Sequence, residues 1–254
     1  MRNLIYQVQV GPSNPLYDIC IASVADYCAR HGISHIIQRE PKLRIVPLDS
    51  QRSENACSRL GYLPIYEKEN AFEYFDQYNN VCILDGDIYV KSTAPNIFDE
   101  IVGYEFAAVA ERDMPLNARH AKKIKKYSHG QYDLLQAEAD FRWNEQGAEF
   151  YNMGLMLMSS NIKKYLRGQT PWEFLRRAEF KRFIDGVGNW RWSSDQTLLN
   201  YWVKKEQILT KNLDWRWNAL YRGVRDECLK DAHFVHFFLS TYIEQPIEEI
   251  IATL

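Results

Sequence analysis

Nowhere does this 254-residue chain come near the roughly 20 consecutive apolar residues that a membrane-spanning helix needs, so any membrane contact is expected to be peripheral. Its N-terminus runs from Met-Arg-Asn straight into the apolar segment Leu4 to Val10. That segment is too short for a signal-peptide core and has no small-residue cleavage site, so no targeting segment is expected. Cysteine pairs are missing as well. Cys20, Cys28, Cys57, Cys82 and Cys228 are scattered, odd in number and without a CxxC spacing, which argues against a disulfide framework or a zinc site and for a reducing, cytoplasmic location. An excess of one charge is absent too: the formal net charge is −2, so no global field favours nucleic acid. Neither a GxGxxG nor a P-loop pattern occurs, and no serine, histidine and acid arrangement for nucleophilic catalysis can be read. Dehydrogenase and nucleotide-hydrolase readings therefore lose support. Without repeats, linkers or low-complexity stretches, residues 1–254 are expected to form one domain.

The residues that are present describe an α/β chain. Leu4 to Val10 reads as a strand, Leu16 to Arg30 as a helix that Gly32 closes, and Ile33 to Gln38 as a second strand, a unit that favours a parallel crossover. A second helix is expected to open at Ser53 and contain Asn55 to Leu60, with Pro64 interrupting it before the pattern resumes over Tyr66 to Phe75. Phe106 to Ala110 and Phe150 to Ser159 read as strands, and Met114 to Gln146 as a long excursion with some helix. Helices are expected near 171–184 and 193–203, strands over Ile208 to Leu213 and Ala232 to Phe238, and an amphipathic helix from Ile243 to the end.

The most informative stretch is Val81 to Val90, Val-Cys-Ile-Leu-Asp-Gly-Asp-Ile-Tyr-Val. An apolar run of this kind reads as a strand buried on both faces, and a buried strand that ends in Asp85 and Asp87 needs a reason. A hard divalent cation with the phosphates it carries supplies one. Residues two apart on an extended chain share a side, Gly86 permits a close approach, and open α/β sheets bind ligands at the carboxyl ends of their strands. The competing explanation is an Asp-Gly turn that merely closes a strand. His233 and His236 are three apart, so at most one can join the acids, and a mixed carboxylate and imidazole set suits manganese better than calcium.

Three further groups carry both a structural and a functional reading. Ser193 with Gln196 is a capping-box pattern that places Asp195 in a first helical turn, from which it can also reach a site and grip hydroxyls. Asn152 and Gly154 share a strand face, suiting a polar amide beside a close backbone approach. The basic run Lys122 to Lys126 is either a solvated helix face or an attractor for phosphate or an acidic acceptor.

Five pieces in order, spanning about residues 4 to 240, resemble glycosyltransferases of the GT-A fold. The resemblance is strongest to the family 8 type that includes glycogenin and bacterial lipopolysaccharide galactosyltransferases. Ser58-Arg59-Leu60 resembles the family's Tyr-Ala-Arg-Leu, Leu84-Asp-Gly-Asp87 its Leu-Asp-x-Asp, and Tyr151-Asn-Met-Gly-Leu-Met156 its Phe-Asn-x-Gly-Val-Leu. Asp195-Gln196 with Leu199-Asn200-Tyr201 resembles Asp-Gln-Asp-x-Leu-Asn, and Val235-His-Phe237 the late histidine motif. The resemblance implies a Rossmann-like domain with a mixed central sheet flanked by helices. It implies a divalent ion, Mn2+ or Mg2+, held by Asp85, Asp87 and His236 and bridging the diphosphate of a nucleotide sugar. Arg59, Asp85, Asn152, Gly154 and Asp195 would bind the donor, and Gln196 would lie under the anomeric carbon. Asp195, Gln196 and Asn152 are thus the catalytic candidates, and retention of configuration is the expected outcome. The expected partners are a UDP-sugar, with a GDP-sugar as second choice, and a glycan or glycolipid acceptor. Three departures stand out: Val10-Gly11-Pro12-Ser13-Asn14 lacks the acid that reads uracil, Phe238-Leu-Ser-Thr241 replaces the late Gly and Lys-Pro-Trp, and Thr197 replaces the third acid of Asp-Gln-Asp. The rival readings are a catalytically silent sugar-nucleotide or glycan-binding protein and, below it, a nucleotidyltransferase, which needs a glycine-rich basic loop that is missing after Gly11.

Overall fold

A computed structural model describes residues 2–11, 14–52, 55–238, 243 and 245–254. Ser53, expected to cap a helix, and residues 239–241 of the altered late motif lie outside them. The chain opens with β1 (Asn3–Val8), α1 (Pro15–His31) and β2 (Ser34–Gln38). Local chemistry sets both ends of α1. Asn14 caps it by accepting from the Leu16 N–H at 3.0 Å, Pro15 fills the first position, and Gly32, at φ 63°, turns the chain out of the last turn.

β1 pairs in parallel with β2 on one side and with β3 (Asn80–Leu84) on the other. β5 (Phe106–Ala110), β6 (Tyr151–Ser159) and β7 (Thr210–Asn212) complete a six-stranded sheet of order β2-β1-β3-β6-β5-β7, in which β6 alone runs antiparallel to its neighbours. All five residues of β3 are buried, Val81 and Ile83 in one apolar layer and Cys82 and Leu84 in the other, as a strand covered on both faces requires.

A second, three-stranded sheet, β4-β9-β8, is built from β4 (Ile88–Val90), β8 (Ala219–Leu220) and β9 (Phe234–His236). The run Val81 to Val90 is thus two strands in different sheets. Asp85, Gly86 and Asp87 form the turn between them rather than an extension of one strand, with the Ile88 N–H on the Asp85 carbonyl at 3.3 Å.

β6 departs from plain alternation. Opposite β5 its register jumps from Leu157, paired with Ala107, to Asn152, paired with Val109, so the segment between is bulged. Tyr151 and Met153 therefore share an apolar layer with Met156 and Met158, while Leu155 and Leu157 face the other layer. The bulge lies at the carboxyl edge of β3, where Asp85 donates its N–H to the Gly154 carbonyl at 2.8 Å.

α2 (Asn55–Leu60) precedes a 3-10 segment, Pro64–Asp76, in the place where the helical pattern resumes. The excursion after β5 contains α3 (Ala118–Tyr132), capped by Asn117. A helix expected over 171–184 is broken into Pro171–Leu175, a 3-10 turn and Lys181–Asp185, and the terminal helix is only Ile247–Ile251. Among the described residues no helix is long and apolar enough to cross a membrane.

Candidate metal centre

Four pieces of backbone end at the same edge of the main sheet. The turn after β3 supplies Asp85 and Asp87, β9 supplies His236, the start of β6 supplies Asn152 and Gly154, and the helix Asp195–Lys205 supplies Asp195 and Gln196. β9 is registered against β4 so that His236 pairs with Ile88, which sets the imidazole beside the acids. The Nε2 atom of His236 lies 3.3 Å from Asp87 Oδ1 and 3.7 Å from Asp85 Oδ2. His233 is turned elsewhere and packs on Trp217, their ring centres 4.8 Å apart.

One oxygen from each carboxylate and one imidazole nitrogen all lie within 4.8 Å of one another. An octahedral ion with bonds of about 2.1 Å spaces its ligand atoms by ~3.0 Å when adjacent and ~4.2 Å when opposite, so these three residues fit a divalent cation with little movement. The electrostatics agree. Two carboxylates this close repel by roughly 3 kcal/mol even at an effective dielectric constant of about 20, a repulsion that Lys68 and His236 offset in part and a divalent cation would relieve further. Burial works against the charge on Asp87, but His236 and then Lys68 outweigh it and hold the carboxyl below its usual range. Burial likewise favours a neutral His236, yet Asp87 and Asp85 hold its pKa above the ordinary imidazole value. The ring thus keeps a proton that a metal ion would replace.

The orientation of His236 is set by residues behind it. Its Nδ1 lies 3.1 Å from Asn218 Oδ1, and Asn218 Nδ2 donates in turn to Asn152 Oδ1 at 2.9 Å. The Asn152 oxygen also accepts the Gly154 N–H at 3.0 Å. With its oxygen so occupied, the chain of amides leaves Asn218 Oδ1 to accept from Nδ1, so Nε2 is the nitrogen that faces the acids and would offer its lone pair to a metal once its proton is displaced. Gly154 is required by the same arrangement: a Cβ there would fall 2.3 Å from His236 Cε1.

Lys68 and Glu111, neither singled out from the sequence, complete the centre. The Lys68 ammonium sits between Asp85 Oδ1 at 2.8 Å and Asp195 Oδ2 at 2.7 Å, and donates to the Met153 carbonyl at 2.9 Å. Burial opposes its charge, but Asp195 and Asp85 more than compensate and raise its pKa. Burial raises Asp195, with Lys68 opposing. Glu111, at the carboxyl end of β5, accepts from Asn152 Nδ2 at 2.7 Å, and burial pushes its carboxyl up despite Asn152 and Gln196. Gln196 Oε1 accepts the Met153 N–H at 3.3 Å. The cap of this helix is Ser194, not Ser193: its hydroxyl accepts the Gln196 N–H, which makes Asp195 the first helical residue. Arg59 stands apart on α2, exposed, and does not line the cavities described next.

Two cavities meet at Lys68, Asp85, Asp87 and Asp195. One, of about 310 Å3, is walled by the end of β1, Tyr17 of α1 and Pro64. The other, of about 360 Å3, is walled by Glu111, Asn152, Gly154, Gln196, His236 and Phe238. The acids stand where an extended ligand crossing from one cavity to the other would place its middle.

No protein-family model and no curated protein matches the sequence. Solved structures do resemble the fold. Mouse xyloside xylosyltransferase 1 superposes with a TM-score of 0.54 at 12% identity, over 96% of this chain and 100% of that one. The galactosyltransferase LgtC, in complex with donor and acceptor sugar analogues, gives 0.53 at 15% identity, over 92% of this chain and 87% of that one. The bifunctional glycosyltransferase WbbM gives 0.51 at 14% identity, over 93% of this chain and 46% of that one. The chain therefore has the GT-A fold, a mixed sheet flanked by helices.

Proposed function

We propose that this chain is a metal-dependent glycosyltransferase that moves a sugar from a nucleoside diphosphate to a glycan or glycolipid hydroxyl, with a UDP-sugar as first choice of donor. The observation that carries the reading is the convergence of Asp85, Asp87 and His236 at the carboxyl edge of a GT-A sheet, at the junction of two cavities. Mn2+ suits the two oxygens and one nitrogen, and when bound it neutralises the diphosphate as that group departs. The nucleoside is assigned to the cavity beside β1 and Tyr17, and the sugar to the cavity beneath Asn152 and Gln196.

Within the second cavity, Lys68 holds Asp195 and Asp85 in fixed relation, so that Asp195 meets sugar hydroxyls without having to be ordered at the moment of binding. Asn152 is locked by Glu111, Gly154 and Asn218, and serves mainly to shape the floor. Gln196, an amide and a poor nucleophile, is the residue that the family resemblance places under the reacting carbon. That favours retention through attack on the face from which the diphosphate leaves.

The test is a panel of UDP- and GDP-sugars with and without manganese, read by thermal shift and by nucleotide release. A donor at one hundred times its dissociation constant should add roughly 2.7 kcal/mol to stability, and only with the metal. Slow hydrolysis of the bound donor supports transfer chemistry. Metal-dependent binding with neither hydrolysis nor transfer would leave a silent sugar-nucleotide binder, and no metal dependence at all would refute the site.

A further inference from the structure

Beside the sugar cavity lies a larger one, of about 600 Å3, between the start of α3 and the turn that follows β8. Phe238 belongs to both, its ring centre 6.1 Å from that of His236 and 5.3 Å from that of His120. Three cations, Arg119, Lys123 and Arg222, line this cavity, and among its described lining residues there is no carboxylate. Of the basic run Lys122 to Lys126, Lys123 is the member that reaches it.

The cavity has a built wall rather than a loose rim. Arg222 sits in the left-handed region at φ 60°, a conformation that persists because the cap of α3 holds it: Asn117 Nδ2 donates to the Arg222 carbonyl at 2.8 Å, and the Asn117 N–H to the Gly223 carbonyl at 3.0 Å. The Arg222 guanidinium lies 5.7 Å from the centre of the Tyr221 ring. His120, 7% exposed, lines the same space, yet its Nε2 has no hydrogen-bond partner. Burial, reinforced by Lys123, pushes that imidazole down to about 4, so at neutral pH it is an uncharged ring with one unused nitrogen. A buried polar atom without a partner in a cavity wall is a group that a ligand hydroxyl can satisfy.

We propose that this cavity is the acceptor subsite and that it selects a sugar acceptor carrying an anionic group, phosphate or carboxylate. The proposal rests on the transferase reading given above. The anion is held by Arg119, Lys123 and Arg222, an acceptor hydroxyl meets His120 Nε2, and the sugar ring stacks on Phe238, beyond which lies the donor sugar. In the transfer, the acceptor oxygen forms its bond to the donor's anomeric carbon as the bond from that carbon to the diphosphate breaks. The bonding pair leaves with the diphosphate, which also receives the hydroxyl proton.

Glucose, glucose 6-phosphate and glucuronate serve as probes, each titrated by calorimetry into the full chain alone and into the chain saturated with Mn2+ and UDP. At least one of the two anionic sugars should bind at least 10-fold tighter than glucose in both states, and which one does identifies the anion. An Arg119→Ala/Lys123→Ala double variant should bring that sugar within about twofold of glucose while leaving the UDP-manganese thermal shift unchanged. Equal binding of all three probes overturns the proposal. So does an anion preference that UDP abolishes, or a double variant that weakens UDP as much as the sugar, since the cations would then be holding the donor's own diphosphate. Failure of the transferase reading shows separately, as a wild-type chain with no manganese-dependent nucleotide response, and takes the acceptor assignment with it.

Discussion

Glu67 and Asp87 are both carboxylates closed off from solvent, 1% and 9% exposed, and the molecule uses them in opposite ways. Glu67 is surrounded by donors. Its oxygens accept the backbone N–H groups of Lys42, Leu43 and Arg44 at 2.7, 3.1 and 2.7 Å, and Gln38 Nε2 at 2.7 Å. Its charge is spent on ordering the segment after β2, where Arg44 stands in the left-handed region. Asp87 faces another carboxylate and one imidazole, an arrangement that leaves its charge directed at something outside the chain. Burial alone does not separate the two kinds of acid. What separates them is whether the protein supplies donors for the lone pairs.

Substitution should pull these two sites apart. On the proposed transferase reading, Asp87→Ala is expected to lower donor turnover by about 10³-fold or more, because it would remove a metal ligand at the point where leaving-group charge develops. The metal-free protein should lose less stability than Glu67→Ala costs, since loss of the His236 contact at 3.3 Å is offset in part by relief of the repulsion from Asp85. Turnover and urea midpoints measured on the same preparation check both halves. A variant that unfolds easily yet turns over normally would reverse the contrast. Glu67→Ala should do the opposite. It takes the carboxylate acceptor from the backbone N–H groups of Lys42, Leu43 and Arg44, of which Leu43 is buried, and is expected to cost about 3 kcal/mol of stability while the manganese response survives in the folded fraction.

Asp185 provides a third carboxylate and sharpens the rule by pH. It is buried, accepts the N–H groups of Leu48 and Asp49, and pairs with Lys181 at 2.6 Å. Burial raises its pKa, but Lys181 and those two amides outweigh burial and hold it below the usual carboxylate range. A group with a depressed folded pKa contributes stability that is present above the unfolded value of about 3.9 and is lost as pH falls through the folded one. Asp185→Asn should therefore be less stable than wild type at pH 6, and the two should converge in strongly acidic solution. Urea midpoints taken at intervals down that range measure it. Parallel curves with no convergence would remove Asp185 from the class that Glu67 defines.

The same contrast explains what could be read from the chain and what could not. Asp85 and Asp87 were legible because two acids closing an apolar run have no ordinary place in a strand. The ends of α1 were legible because Asn14, Pro15 and Gly32 act within a few residues of themselves. Lys68 was hidden. Tyr66-Glu-Lys-Glu-Asn70 has the composition of a solvated face, yet all five residues are buried, because the 3-10 segment packs against β1, β3 and the helix Pro171–Leu175, contacts that no local pattern announces. Glu111 follows directly on the strand read over Phe106 to Ala110, and its approach to Asn152 depends on pairing between β5 and β6, residues far apart in sequence. Plain alternation along β6 breaks where the bulge falls, because an irregularity in register is decided by the partner strand. β4 and β8, three and two residues long, are too short to leave a period.

Asn218 gives the smallest expected effect and the sharpest test of how the unspent charge is kept in place. It touches neither acid. It reaches the metal centre only through His236 Nδ1, and is itself held by Asn152. Asn218→Ala removes the acceptor that fixes the tautomer, so the ring is free to place its proton on Nε2 and present a donor to the acids, the wrong polarity for a metal ligand. Manganese affinity is expected to fall about 10-fold, the usual range for a partner one step behind a ligand. Asn218→Asp keeps an oxygen in reach of Nδ1 and should recover most of that loss. Loss of folding in the alanine variant would confuse the result, so affinity is read by titrating Mn2+ against the metal-dependent shift in protein shown by circular dichroism to be folded. If Asn218→Ala binds Mn2+ as tightly as wild type, the acids alone hold the ion, and His236 is a packed neighbour of Gly154 rather than a ligand.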